Sequence, residues 1–112
     1  MEPEVRTAGA VNILEVKGRL TMGSGETDGM GAVIRDLLHA GRKNILLDFS
    51  GVSYIDSASL GVLVAHYKLA SERGGIVKLL RPQEKIFHLL TLTKLDNLFE
   101  IFQDENDAVA SF

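Results

Sequence analysis

The chain carries the stretch Asn44-Ile45-Leu46-Leu47-Asp48-Phe49-Ser50-Gly51-Val52-Ser53-Tyr54-Ile55-Asp56-Ser57-Ala58-Ser59-Leu60-Gly61-Val62-Leu63. Residues 44–49 form a short, almost continuous apolar run, the pattern of a strand buried on both faces. Gly51 and Ser53 read as turn signals behind it. Leu60, Leu63, Val64, Tyr67 and Ala70 then recur at helical spacing, and Gly74-Gly75 lies beyond the helix end. A buried strand feeding an amphipathic helix over 57–73 is half of a parallel βαβ unit.

The same alternation continues outward. Residues 11–17, Val-Asn-Ile-Leu-Glu-Val-Lys, suit a strand that ends at Gly18. A loop-like stretch, 23–29, precedes Met30, Val33, Ile34, Leu37 and Leu38 at helical spacing. Asp28 or Thr27 is the expected N-cap there and Gly41 the stop. Ile76-Val77-Lys78-Leu79-Leu80 is the next strand. Pro82 is expected at the first position of a third helix carrying Ile86, Phe87, Leu89 and Leu90. Residues 98–102 read as a last strand, and Asp104 or Asn106 as the cap of a terminal helix over 108–110. The order is β-α-β-α-β-α-β-α, with one or two strands before it. This predicts an α/β fold with a mostly parallel central sheet, helices packed on it and right-handed crossovers.

Size and composition bound the function. The chain has 112 residues, 46% of them hydrophobic and 24% charged. That is the scale of one globular domain, and no linker or repeat divides residues 1–112. The formal net charge of −3 lacks the basic stripe of a nucleic-acid binder, so no direct nucleic-acid contact is expected. Cysteine is absent, which excludes a disulfide framework, a cysteine-based zinc site and a thiol nucleophile. The longest apolar run, 62–65, is far below the roughly 20 residues of a membrane span. The N-terminus lacks a signal-peptide pattern. A soluble cytoplasmic protein is the expectation.

Enzyme signals are weak. His39, His66 and His88 fall in three separate helical stretches without the i, i+4 pairing of a helical zinc site. Gly23-Ser24-Gly25 lacks both the Gly-Lys-Ser/Thr ending of a phosphate loop and the spacing of a dinucleotide fold. No metal or cofactor is implied. The acids from Asp96 to Asp107 read as a solvated face. Asp56-Ser57 is more informative, because it sits where a strand's C-terminal end meets a helix N-terminus, the edge at which α/β sheets meet ligands and partners. Its bland reading is a helix cap by Asp56 or Ser57. A serine hydroxyl in a first helical turn can also carry phosphate, which the helix dipole tolerates.

The stretch 44–63 closely resembles the signature of STAS-domain anti-sigma factor antagonists: an apolar strand, an aspartate, a short loop, then Asp-Ser-Ser/Thr-Gly-Leu-Gly. The likeness extends over nearly the whole chain. Gly18-Arg19-Leu20 is similar to the family's Gly-Glu-Leu-Asp, Tyr67-Lys68 before Gly74-Gly75 to the end of its second helix, and residues 98–102 to its final strand. Ala58, Ser59, Arg19 and Thr21 depart from the pattern, standing where Ser/Thr, Gly, Glu and Asp are usual.

The resemblance implies a single STAS fold over 1–112 and a non-catalytic partner-switching regulator of sigma-factor-dependent transcription. Its partner would be an anti-sigma factor that is also a serine kinase, and a serine phosphatase would reverse the modification. Nucleotide would be held by the kinase. Matched residue by residue, Ser57 is the phosphoacceptor. The implied partner face comprises Asp56, Ser57, Ala58, Ser59, Leu60 and Gly61, with the loop near Thr21. The alternative is a STAS interaction scaffold that is never switched, in a signalling assembly or a transport system.

Overall fold

A computed structural model describes residues 3–112; Met1 and Glu2, part of the N-terminus read above, lie outside them. The elements run β1 (Glu4–Ala8), β2 (Val11–Leu20), α1 (Gly25–His39), β3 (Asn44–Ile55), α2 (Ser57–Glu72), β4 (Ile76–Leu80), α3 (Glu84–Leu92), a 3₁₀ turn at Leu95–Asn97, β5 (Ile101–Phe102) and α4 (Glu105–Ala110). The strands lie in the order β1-β2-β3-β4-β5. β1 is antiparallel to β2, and every other pairing is parallel. The α/β alternation and the mostly parallel sheet are those read from the sequence, preceded by one strand.

Period-two alternation divides the sheet between two cores. Leu14, Val16, Ile45, Leu47, Phe49, Val77 and Leu79 face the larger core, which also holds Met30, Ile34 and Leu37 of α1, Leu60 and Leu63 of α2, and Ile86 and Leu90 of α3. Val11, Ile13, Leu46 and Leu80 face the other side, where Ala108 and Val109 of α4 cover them. The run at 44–49 is therefore buried on both faces. Lys78 is buried on the α4 side, its Nζ donating at 2.9 Å to both the carbonyl and the hydroxyl oxygen of Ser111.

Five boundaries differ from the reading above. β2 does not end at Gly18 but runs through it to Leu20, because β3 stays paired with it. β3 does not stop at Phe49. It continues to Ile55 because β2 stays paired with it, through two register shifts, as far as Leu20↔Ile55. Gly51 is part of that ladder: a Cβ there would sit 3.1 Å from Lys17 Cγ, so glycine permits the close strand approach. α1 begins earlier, at Gly25, because Ser24 rather than Thr27 or Asp28 is its N-cap, accepting the Thr27 amide at 3.2 Å. Pro82 lies before α3, whose N-cap is Gln83. The Gln83 side chain donates to the Ser50 carbonyl and holds that entry. The last strand shrinks to Ile101–Phe102, because residues 95–99 close in tight turns with Leu98 and Phe99 amides on the Leu95 carbonyl. Asp104 caps α4 as expected.

β4 pairs only with residues 44–48 of β3. Beyond that point β2 and β3 project as a two-stranded ribbon, residues 17–20 beside 51–55. The ribbon delivers the chain to α2.

Candidate functional site

Asp56 links the ribbon to both helices that start at this end. Its amide donates to the Leu20 carbonyl at 3.0 Å, tying the end of β3 to the end of β2. Its Oδ1 accepts the Ser59 amide at 2.8 Å, the N-cap bond of α2. Its Oδ2 accepts the Met22 amide at 2.9 Å, across to the β2–α1 loop. The amides of Met22 and then Ser59 hold this carboxyl below the usual aspartate range. Of the two residues considered as caps, Asp56 is the one that caps, and Ser57 is left free.

Ser57 is the first residue of α2 and is exposed, as are Ala58 and Gly61. Thr21 and Asp56 are half-buried. Ser59 and Leu60, expected on the partner face, lie inside: Ser59 is 0% exposed and Leu60 packs in the large core. A helix turns about 100° per residue, so Ser57 and Ser59 cannot share one face.

The Ser59 hydroxyl has a specific partner, 3.1 Å away, in Thr27 Oγ1 of α1. Thr27 Oγ1 donates to the Thr21 carbonyl and accepts from Ser24 Oγ, both at 3.1 Å. With its one proton committed, Thr27 accepts from Ser59. The first turns of α1 and α2 are thus joined by a buried hydroxyl chain, and no buried side-chain polar atom among the described residues lacks a partner.

Two surface residues beside this junction, Met22 and Tyr54, drew no role in the sequence reading, and Arg19 was read there only as a departure from the family motif. Met22 is 68% exposed in the β2–α1 loop, next to the amide that Asp56 holds. Tyr54 is 41% exposed, and the Arg19 guanidinium carbon lies 4.4 Å from its ring centroid. An apolar Met between Thr21 and Gly23 was the one local signal. The Arg19–Tyr54 contact depends on strand register and leaves no trace in spacing. A cleft of about 310 Å³ along the open edge of β2 is lined by Pro3, Glu4, Glu15–Gly18 and Glu26, and includes no residue of 56–61. Among the described residues no three His, Asp or Glu side chains gather into a metal site, and no helix is long and apolar enough to cross a membrane. His66 is buried between α1 and α2. Its Nδ1 donates to the Val62 carbonyl at 2.8 Å, leaving Nε2 to accept from Arg35 Nη1 at 2.9 Å.

An exposed serine thus follows a capping aspartate at the rim of this sheet. The STAS-domain family profile matches residues 2–108, and the chain belongs to that family. A Thermotoga maritima protein provisionally named an anti-sigma factor antagonist is 39% identical over 77 residues, 69% of this chain and 68% of that one. The Bacillus subtilis anti-sigma-B factor antagonist is 38% identical over 50 residues, 45% of this chain and 46% of its own. A crystal structure from Thermotoga maritima, also of a provisionally assigned antagonist, superposes with a TM-score of 0.87 at 31% identity, covering 97% of this chain and 92% of that one. By homology the chain falls among the anti-sigma factor antagonists.

Proposed function

We propose that residues 1–112 act as one switched, non-catalytic antagonist domain in the cytoplasm. Unmodified, it binds an anti-sigma serine kinase through Ser57, Ala58, Gly61 and the loop at Thr21, so that the sigma factor is released. The kinase phosphorylates Ser57 and ends the contact, and a serine phosphatase restores it. The carrying observation is the division of labour between Asp56 and Ser57. Asp56 spends both carboxylate oxygens on amides and holds the junction, while the Ser57 hydroxyl stays exposed at the first position of α2.

Phosphate on Ser57 would sit at the positive end of the helix dipole, so the domain tolerates it. It would take the formal charge from −3 to about −5. That charge falls on the contact surface, where desolvation and repulsion weaken binding without a change of fold.

The test is labelling with the cognate kinase and ATP, followed by mass spectrometry and binding measurements. Label on Ser57 alone, and loss of kinase binding in Ser57→Asp, are expected. Label elsewhere, or wild-type affinity in Ser57→Asp, overturns the switch. A large homo-assembly unaffected by the kinase points instead to the unswitched scaffold.

A further inference from the structure

The outer face of the ribbon carries a feature the switch does not use. Leu20 and Ile55 are buried on the helix-covered side of the sheet. Alternation therefore sends Arg19 and Tyr54, which are register partners, to the opposite side. α4 covers that side only over Val11, Ile13, Leu46 and Leu80, so the ribbon face stays bare. Lys17, two residues before Arg19 on β2, is exposed as well.

Among the described residues the ion pairs involve only Arg6 and Lys78 as cations. Arg19 thus rests on an aromatic ring rather than on a carboxylate. Stacking on Tyr54 holds the guanidinium in place while leaving its N–H donors free. Arg19 and Tyr54 directly precede the Leu20↔Ile55 pair, to which Asp56 is bonded. A fixed, unpaired cation on an acidic protein thus lies across from Tyr54, which stands three residues before Ser57 in the chain.

We propose that Arg19, oriented by Tyr54 and supported by Lys17, selects a partner that presents an acidic side chain opposite the ribbon. The contact extends the Ser57 surface onto the outer sheet face. It rests on the partner-binding role proposed above, and it supplies the specificity of that role. A bidentate guanidinium–carboxylate pair is directional, so it discriminates between partners as well as attracting them.

The test is titration calorimetry of the whole protein against the cognate anti-sigma kinase, at about 0.05 M and 0.5 M salt. Arg19→Glu is expected to weaken binding at least about 10-fold at low salt, and the loss should shrink at high salt. Tyr54→Leu keeps the charge but loses the platform, with a loss of a few-fold. Substituting the facing acid of the kinase with Arg should restore binding to Arg19→Glu. Arg19 and Tyr54 are both exposed, so a thermal melt within about 2 °C of wild type confirms an intact fold. Wild-type affinity in Arg19→Glu, alongside abolished binding in Ser57→Asp, overturns this inference and leaves the switch standing. A loss that is the same at both salt concentrations also overturns it. If Ser57→Asp binds normally, the switch itself falls.

Discussion

The hydroxyl of Ser59 lies 3.1 Å from that of Thr27, and the pair joins the first turns of α2 and α1 inside the protein. The bond separates two serines that look equivalent in sequence. Ser57 faces solvent, while Ser59 is fully buried. A kinase acting on the folded domain reaches only the first.

Ser57→Ala should therefore abolish labelling by the cognate kinase, and Ser59→Ala should retain it. Ser59→Ala should cost about 1 kcal/mol of stability for the lost buried bond. Thr27→Val should cost about 1–3 kcal/mol, because it strands the Ser59 hydroxyl without an acceptor. Mass spectrometry and urea unfolding check the two arms. Phosphate found on Ser59 of the folded protein would sink this account.

The second prediction concerns acid. Asp56 is held below its ordinary value by the Met22 and Ser59 amides. The folded state thus binds its proton less readily than the unfolded chain. Its stabilising effect is complete above the unfolded aspartate value of about 4, and it fades as pH falls through the lowered folded value. Asp56→Asn keeps the shape and removes the titration. Urea midpoints followed from pH 7 to pH 3 should fall less steeply for Asp56→Asn than for wild type. Parallel curves would remove Asp56 from the acid response.

Two glycines should respond oppositely to alanine. A Cβ on Gly31 would lie 3.0 Å from the His66 ring and 3.1 Å from Arg35 Nη1, both held in the α1–α2 contact. Gly31→Ala should destabilise by about 1–3 kcal/mol from overpacking, offset by at most about 1 kcal/mol of helix propensity. Gly61 is exposed in α2, with nothing within 4 Å of an added Cβ. Gly61→Ala should stabilise by about 0.5–1 kcal/mol yet weaken kinase binding, because the methyl projects from the proposed contact surface. Thermal melts and titration separate the two effects.

A fourth prediction falls on the far side of the sheet. Lys78 Nζ donates to both oxygens of Ser111 and lies 4.7 Å from the Phe112 ring centroid. Lys78→Met keeps the apolar stem and removes the donors. Amide hydrogen exchange in residues 105–112 should accelerate while that of β2 and β3 does not. Unchanged exchange there would show that the apolar contacts alone dock α4.

Much of this was legible in one dimension. The run at 44–49 announced a strand buried on both faces, and the helical spacing of Leu60, Leu63 and Tyr67 announced α2. The Asp56-Ser57 pair marked the junction between them. What escaped was long-range, apart from one local cap. The turn expected at Gly51 and Ser53 is a strand, because β2 supplies a partner through two register shifts. Ser24 caps α1 ahead of the expected residues, because its oxygen is the one within reach of the Thr27 amide.

The sequence alone determined the α/β order, the two-sided burial of β3 and the place of the exposed serine, because periodicity and capping act over a few neighbouring residues. Only the tertiary structure decided that Ser59 turns inward to Thr27, that Gly31 makes room for His66, and that Arg19 lies on Tyr54. Each of those contacts joins residues more than thirty positions apart. Strand register and helix docking create them, and neither leaves a local pattern to read.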